Sequence, residues 1–271
     1  MFWKIIFFSI ELVFEVVNFF QKIYFFFESK KSISKNKFLY KEFENQRVFI
    51  VGNGPSVNVQ NLQKIRDEIS IFVNMGFKHK FYSDIQPNYH VIVDPKLATG
   101  EWNIGILDKI IEVNPNVVLV LNSKWFNNSK FKPYKEDERF KIIWIKSKLF
   151  HTRFNNYSDT KISSITYGMG VLGASLSLAL HLGFKKIILT GVESNAFCSE
   201  FENKESHFYG INEDNQNMNS EGVYKSLFFN YLYLLGLHNL SLNVGNIEIV
   251  NCTIGGILKM FKREKFDEQF N

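Results

Sequence analysis

A short apolar run that ends in two glycines constrains this chain more than any other segment. Residues 47–56 read Arg-Val-Phe-Ile-Val-Gly-Asn-Gly-Pro-Ser. The β-branched and aromatic residues predict a buried first strand, and the glycines predict a tight turn at its carboxyl end. Such a turn in a parallel sheet presents backbone N–H groups to an anionic ligand. A strand-to-helix turn that uses glycine for its geometry alone is the plain alternative.

The spacing within this turn separates it from the two common nucleotide-binding motifs. A dinucleotide fingerprint has a third glycine three residues after the second, and Val57 stands there. A P-loop continues into Gly-Lys-Ser/Thr, and no such tripeptide follows the turn. The segment therefore predicts a nucleotide-type turn of neither kind.

Six further strand-like runs follow, with helix-like segments between several of them. The runs are 69–73, 89–93, 117–121, 142–145, 186–190 and 247–250, and the clearest helical patterns are 104–113 and 170–182. This alternation predicts an α/β fold, a Rossmann-like and mostly parallel sheet with flanking helices and a lid-like loop. We expect one such domain over residues 41–271, preceded by an N-terminal apolar helix and basic linker over residues 1–40.

Polar side chains stand just past the ends of five predicted strands: Asn53, Asn74, Asp94, Glu193 and Asn251. Ligands of open parallel sheets bind off the carboxyl ends of the strands, so we expect a site where these side chains gather. The alternative is that asparagine and aspartate stand here because they favour turns and helix caps.

Two later segments add candidate chemistry. Residues 165–170, Ile-Thr-Tyr-Gly-Met-Gly, precede the small-residue helix, whose N-terminus can hold a phosphate. Residues 195–220 form a long polar stretch of the kind that makes lids and binding loops, and Ser-His-Phe-Tyr-Gly lies inside it. His207 is the candidate general base, the alternative being a surface histidine with aromatic anchors. His181, in the apolar helix, is expected to pack, and the other histidines, His90 included, are poorer candidates.

The first 28 residues are very apolar, but four charges interrupt the apolar run: Lys4, Glu11, Glu15 and Lys22. No charge-free run of about 18 residues remains, which disfavours a spanning helix. At 100° per residue the charges share one narrow stripe, so the predicted helix has a wide apolar surface. It either lies in a membrane interface, at the inner face of the cytoplasmic membrane, or packs between subunits of a homo-oligomer, or covers its own domain.

Charge and cysteine content exclude other classes. A net charge of +5 suits an anionic substrate or lipid surface, while the absence of an arginine-rich cluster argues against nucleic acid. Cys198 and Cys252 lie far apart, which predicts neither a disulfide scaffold nor a zinc site. No HExxH, paired CxxC or Asp-x-Asp motif follows a strand, so we expect no metal.

Three blocks, in this order, resemble the bacterial lipooligosaccharide sialyltransferases: residues 52–56, 166–191 and 206–210. Those enzymes are metal-independent and transfer sialic acid from CMP-sialic acid with inversion. The resemblance implies a glycosyltransferase of surface glycan synthesis with a CMP-sugar donor, a glycan acceptor and no cofactor. Asn53 and Asn74 match the asparagines that contact CMP, and His207 matches the general base. Tyr167 lies near one of two tyrosines that assist phosphate departure.

Together, the sequence patterns and this resemblance predict a site of three parts. Catalysis falls to His207 and Tyr167. The acceptor side is formed by Glu193 and Tyr209. The nucleotide is bound by Gly52, Asn53, Gly54, Pro55, Ser56, Asn74, Asp94, Gly168 and Gly170.

A second family competes. Residues 86–95, Gln-Pro-Asn-Tyr-His-Val-Ile-Val-Asp-Pro, and the glycine-rich start of the central helix resemble the hydroxymethylpterin diphosphokinase-like (MptE-like) family. This resemblance implies the alternative of a phosphotransferase that needs Mg²⁺, with Asp94 as the natural ligand. A third alternative is a non-catalytic nucleotide-binding protein of polysaccharide assembly.

Overall fold

The computed structural model describes residues 39–145, 147–148, 165–166, 170–195, 205–210 and 220–270. It also describes nine single positions between residues 8 and 23. Tyr167, Gly168 and most of the polar stretch 195–220 lie outside the described residues, so the predictions for them stay predictions.

The strands of the described chain form one large parallel sheet and one small pair. They are β1 (Arg47–Val51), β2 (Ser70–Val73), β3 (Tyr89–Ile92), β4 (Val118–Asn122), β5 (Lys141–Ile145), β6 (Ser147–Lys148), β7 (Ile165–Thr166), β8 (Lys186–Thr190), β9 (Glu248–Asn251) and β10 (Lys262–Arg263). Eight of them pair in the order β10-β9-β8-β1-β2-β3-β4-β5, and β6 pairs with β7. Every pairing is parallel, which confirms the predicted α/β fold.

Six α-helices accompany these strands in the described ranges. They are α1 (Tyr82–Ile85), α2 (Pro95–Thr99), α3 (Ile106–Val113), α4 (Lys132–Glu136), α5 (Gly170–Leu182) and α6 (Ser220–Asn243). Short 3₁₀ turns add Pro55–Asn58, Leu62–Ile65, Asn74–Lys78, Ser123–Trp125, Ser129–Phe131 and Asp267–Phe270. The predicted bounds of α5 are confirmed, and α3 begins two residues later than its pattern indicated, after Gly105.

The core lies in two layers, one on each face of the sheet. Successive strand residues point to opposite faces, so Val48 and Ile50 of β1 join one layer while Phe49 and Val51 join the other. The first layer contains α5, eleven of whose thirteen residues are buried. A helix that is apolar all round is stable only when it is enclosed in this way, which fixes α5 against the sheet.

The segment that directly follows the basic linker is hydrogen-bonded to the C-terminus of α5. The amide of Lys41 donates to the carbonyl of His181 at 3.0 Å, and that of Phe43 donates to Leu182 at 2.8 Å. Gly183 has a φ of +90°, and a β-carbon there would lie 2.9 Å from the Cα of Lys41. Glycine is therefore required at this helix end. The prediction that His181 packs is confirmed, because its side chain is buried.

The described positions of the amino-terminal segment have helical backbone and exposed side chains. Phe8, Val13, Phe19 and Phe20 are each between 45% and 64% exposed. Within the described residues, none of the helices has the length and apolar character needed to cross a bilayer.

Candidate functional site

A cavity opens where the order of the sheet reverses, between β1 and β8. The chain runs outward from β1 through β2 to β5 and then returns to place β8 on the other side of β1. Such a switch point leaves a crevice at the carboxyl ends of the strands. The cavity is lined by Ile50, Gly52, Asn53, Gly54, Val73, Asn74, Val171, Leu172, Gly191, Val192, Glu193, Ser194, Asn195, Ser206, His207 and Tyr233.

Close packing against the end of β8 requires the first glycine of the turn. The amide of Gly52 donates to the carbonyl of Thr190 at 2.8 Å, and that of Gly54 donates to Gly191 at 2.8 Å. A β-carbon on Gly52 would lie only 2.2 Å from the carbonyl oxygen of Gly191. The two strand ends can therefore approach this closely only without a side chain at position 52.

A carboxylate is built into the same turn. The amide of Ser56 donates to Glu193 Oε1 at 2.7 Å, and this hydrogen bond is buried. A β-carbon on Gly54 would lie 1.5 Å from Glu193 Oε2, so the second glycine makes room for the glutamate. The expectation of bare turn amides is wrong for Gly52, Gly54 and Ser56, because these amides donate to Thr190, Gly191 and Glu193 respectively.

Three side-chain oxygens around this cavity are buried without a hydrogen-bond partner among the described atoms: Asn53 Oδ1, Asn74 Oδ1 and Glu193 Oε2. Asn53 and Glu193 are only 8% and 7% exposed. Leaving such an oxygen unpaired costs free energy, and a native structure normally provides a partner for it. Their convergence on one cavity is typical of a ligand site.

His90 holds the backbone of Asn74, a role that the sequence analysis did not give it. Its Nε2 lies 2.7 Å from the carbonyl oxygen of Asn74, and its Nδ1 lies 2.9 Å from the hydroxyl of Tyr82. Complete burial lowers the pKa of His90 to about 4. The ring is neutral, so Nε2–H donates to Asn74 and Nδ1 accepts from Tyr82. Asn74 has a φ of +44°, an uncommon conformation that this contact helps to fix.

The segment that carries His207 is docked directly on the glycine turn. The amide of Phe208 donates to the carbonyl of Asn53 at 2.8 Å, and Asn58 Nδ2 donates to the carbonyl of Phe208 at 3.1 Å. The Phe208 ring packs edge-on against His79, with 5.3 Å between ring centroids. These contacts hold His207 against the end of β1.

His207 lies in the wall of the cavity, and its pKa is lowered there. Its ring lines the cavity and stacks on Tyr209, with centroids 5.0 Å apart. Burial, and then the positive charge of Lys96, lower its pKa below the ordinary value of 6.5. The imidazole is therefore neutral at pH 7 and can accept a proton.

Among the predicted site residues that the structure describes, six line the cavity: Gly52, Asn53, Gly54, Asn74, Glu193 and His207. Its lining does not include Pro55, Ser56, Asp94, Gly170 or Tyr209.

Two of the predicted strand-end residues have structural roles. Asp94 caps α2 by accepting from the amide of Lys96 at 3.0 Å. Asn251 accepts from the amide of Thr253 at 3.0 Å within its own turn. The contacts of these two residues therefore agree with the alternative that asparagine and aspartate stand at strand ends because they favour turns and helix caps.

Tyr233 of α6 is a cavity residue that the sequence analysis missed. Its hydroxyl lies 2.8 Å from Ser194 Oγ, and burial raises its pKa to about 12. It is one of 11 tyrosines, and nothing in its neighbours in sequence distinguishes it from the rest. Among the described residues no group of three or more His, Cys, Asp and Glu side chains could hold a metal ion.

Fold and cavity together define an α/β protein with a candidate ligand site, a cavity at the switch point of a parallel sheet. The chain belongs to the family described as 6-hydroxymethylpterin diphosphokinase MptE-like, whose model matches residues 17–196. This confirms the resemblance read from residues 86–95. The matched range contains the glycine turn and Glu193 but ends before His207.

No curated protein matches the chain. Among solved structures, it is similar to the MAf glycosyltransferase from Magnetospirillum magneticum AMB-1, with a TM-score of 0.48 and 14% identity. The similarity covers 83% of this chain and 34% of that one, so the chain spans about a third of that protein's length.

Proposed function

We propose that this chain is a glycosyltransferase that uses a nucleotide-activated sugar, with the β1/β8 cavity as its donor site. The observation that carries the proposal is the docking of residues 205–210 on the carbonyl of Asn53. It brings a neutral imidazole to the cavity where the unpaired side-chain oxygens of Asn53, Asn74 and Glu193 also lie. A base beside a set of unsatisfied polar groups, at the switch point of a parallel sheet, suits group transfer.

In the proposed reaction His207 removes the proton from an acceptor hydroxyl as that oxygen attacks the anomeric carbon. The bond between this carbon and the phosphate oxygen breaks, and the electron pair leaves with the phosphate. Attack from the face opposite the leaving group inverts the anomeric centre. A general base of this kind contributes roughly 10²- to 10⁴-fold to the rate.

The donor in this proposal is a CMP-activated nonulosonic acid, as the sialyltransferase resemblance implies. CMP leaves as a phosphate monoester, which is a good leaving group without a metal. The first turn of α5 reaches the cavity through Val171 and Leu172, and its helix dipole favours negative charge there. The acceptor is a surface glycan, and Tyr209 is kept as an acceptor-side residue.

A second candidate function follows from the family description. A diphosphokinase would transfer diphosphate from ATP to a primary alcohol such as that of 6-hydroxymethylpterin, and His207 would suit deprotonation of that alcohol too. Such phosphotransfer uses Mg²⁺. A non-catalytic nucleotide-binding role in polysaccharide assembly is the third alternative.

Two assays on the full chain separate these candidates. The first follows CMP release from a CMP-activated nonulosonic acid, and the second follows AMP release from ATP with 6-hydroxymethylpterin. Each is run with Mg²⁺ and with EDTA. The proposal expects CMP release that persists in EDTA and no AMP release. AMP release that EDTA abolishes would replace the proposal with the diphosphokinase, and binding of CMP without either reaction would favour the non-catalytic role.

A further inference from the structure

Glu193 takes the place in the glycine turn where an anionic ligand is expected. Its Oε1 accepts the amide of Ser56 at 2.7 Å, and its side chain fills the space left by Gly54. The amides of Gly52 and Gly54 are used by the end of β8. A ligand phosphate at this place would meet a buried carboxylate and would find these three amides already occupied. Like charges at such short range in a buried site repel strongly.

Within the described ranges, four side-chain atoms around the turn are buried and unpaired: the hydroxyl Ser56 Oγ and the three acceptor oxygens of Glu193, Asn53 and Asn74. Glu193 Oε2 and Asn53 Oδ1 are unpaired and belong to side chains more than nine-tenths buried. Asn74 Oδ1, across the end of β2, is also buried and unpaired. All three residues line the same cavity. Acceptors are satisfied by hydrogen-bond donors, so the ligand group that pairs with these three oxygens carries O–H or N–H groups.

We propose that Glu193, Asn53 and Asn74 form a subsite that recognises paired hydrogen-bond donors of a nucleoside or related heterocycle, and that the ligand's phosphate lies away from the glycine turn. This inference rests on the proposal that the cavity is a nucleotide site. Two sources supply the chemistry: the vicinal hydroxyls of ribose, or an exocyclic amino group beside a ring nitrogen. A carboxylate that accepts from either source forms the stronger, charge-assisted kind of hydrogen bond.

The test is binding to the full chain, measured by calorimetry without any turnover. Cytidine, 2′,3′-dideoxycytidine, uridine and 6-hydroxymethylpterin are the neutral probes, and inorganic pyrophosphate is the anionic one. We expect cytidine or the pterin to bind and pyrophosphate not to compete with it. Weaker binding of the dideoxynucleoside identifies the hydroxyl source. Weaker binding of uridine, or preference for the pterin, identifies the amino source.

The decisive variant is Glu193→Gln. One of its side-chain atoms must still accept from Ser56, so an NH₂ group replaces the free acceptor Oε2. Affinity for the donor-bearing probe should fall by about 10- to 100-fold. Glu68→Gln is the matched control, because Glu68 pairs with Arg47 away from the cavity. Asn74→Gly is a second variant that keeps the left-handed backbone and removes one acceptor, and it should weaken binding in the same direction.

Three outcomes overturn the inference. One is unchanged affinity in both Glu193→Gln and Asn74→Gly. Another is competition by pyrophosphate that strengthens in Glu193→Gln, which would place the anion in the turn. The third is binding of Mg²⁺ or Ca²⁺ alone that Glu193→Gln abolishes, which would make the three oxygens a cation site. None of these results depends on His207, so failure of the proposed reaction remains distinguishable from failure of this subsite.

Discussion

The amide of Phe208 lies 2.8 Å from the carbonyl oxygen of Asn53 and donates a hydrogen bond to it. This bond joins two segments that are more than 150 residues apart in the sequence, one carrying the glycine turn and the other carrying His207. It places the candidate base beside the candidate donor site. Neither segment alone would bring the two together. The proposed function depends on this hydrogen bond.

The first prediction concerns the close approach of β1 and β8. Gly52→Ala should destabilise the fold by roughly 1–3 kcal/mol, because the new methyl group would overlap the carbonyl of Gly191. Gly105→Ala is the control, since Gly105 has a φ of −58° and the atom nearest to its new β-carbon would be Asn103 Oδ1, at 3.2 Å. Urea unfolding measures both. Equal stability of the two variants would show that the strand ends can separate easily.

The second prediction concerns the buried imidazole of His90. Its pKa is about 4 in the folded chain and ordinarily 6.5, so the unfolded chain binds the proton first as the pH falls. Stability is therefore fully present above pH 6.5 and decreases as the pH falls toward 4, by about 3 kcal/mol in all.

His90→Phe removes this titration but also leaves Tyr82 and Asn74 without their partner. The variant should be less stable than the parent at pH 7.5, and the difference should narrow at pH 5. His238→Phe, at an exposed position on α6, serves as the control. Urea unfolding at the two pH values measures the change. A stability difference that stays constant with pH would mean that His90 is not held neutral.

Much of the fold could be predicted from the sequence because strand cores and helix ends leave local signals. Val48–Val51 is apolar and β-branched, and the small residues of α5 fit only a buried helix. The turn at 52–56 was also readable as a turn. The sequence does not predict that this turn binds the Glu193 carboxylate. Glu193 lies 137 residues from Ser56, and their pairing depends on the switch point of the sheet.

The candidate site was predicted only in part for the same reason. Asn53, Asn74 and Asp94 look alike in the sequence, each standing at a strand end. In the structure Asn53 and Asn74 line the cavity, whereas Asp94 caps α2. The difference depends on how close each strand lies to the switch point. Tyr233 reaches the cavity from α6, and no pattern in the sequence relates that helix to β1.

The third prediction concerns the charge beside His207. Lys96→Gln removes a positive charge that lowers the pKa of His207, so that pKa should rise toward its ordinary value. The acidic limb of the pH–rate profile should therefore move to higher pH. Because burial still lowers the pKa of His207, this pKa should stay below 6.5. Lys64→Gln is the control, because Lys64 pairs with Asp267 at 2.6 Å and is not among the charges that shift the pKa of His207. An unchanged acidic limb would mean that the group titrating in that limb is not His207.

The fourth prediction concerns the amino-terminal segment, whose described apolar side chains are exposed. A variant that begins at Lys37 should lose sedimentation with anionic liposomes, because an exposed apolar helix surface with a basic linker favours the membrane interface. The full chain should sediment with them. Equal partitioning of the two proteins would favour subunit packing or coverage of the domain instead.

The most direct test of the account is turnover by His207→Ala, compared with His181→Ala, with CMP affinity and melting temperature measured for both. A neutral general base predicts a loss of turnover of about 10²- to 10⁴-fold in His207→Ala, with CMP affinity nearly unchanged. His181 is a buried residue of α5, so His181→Ala should lower the melting temperature and leave the chemistry almost intact. Near-normal turnover by His207→Ala would contradict the account.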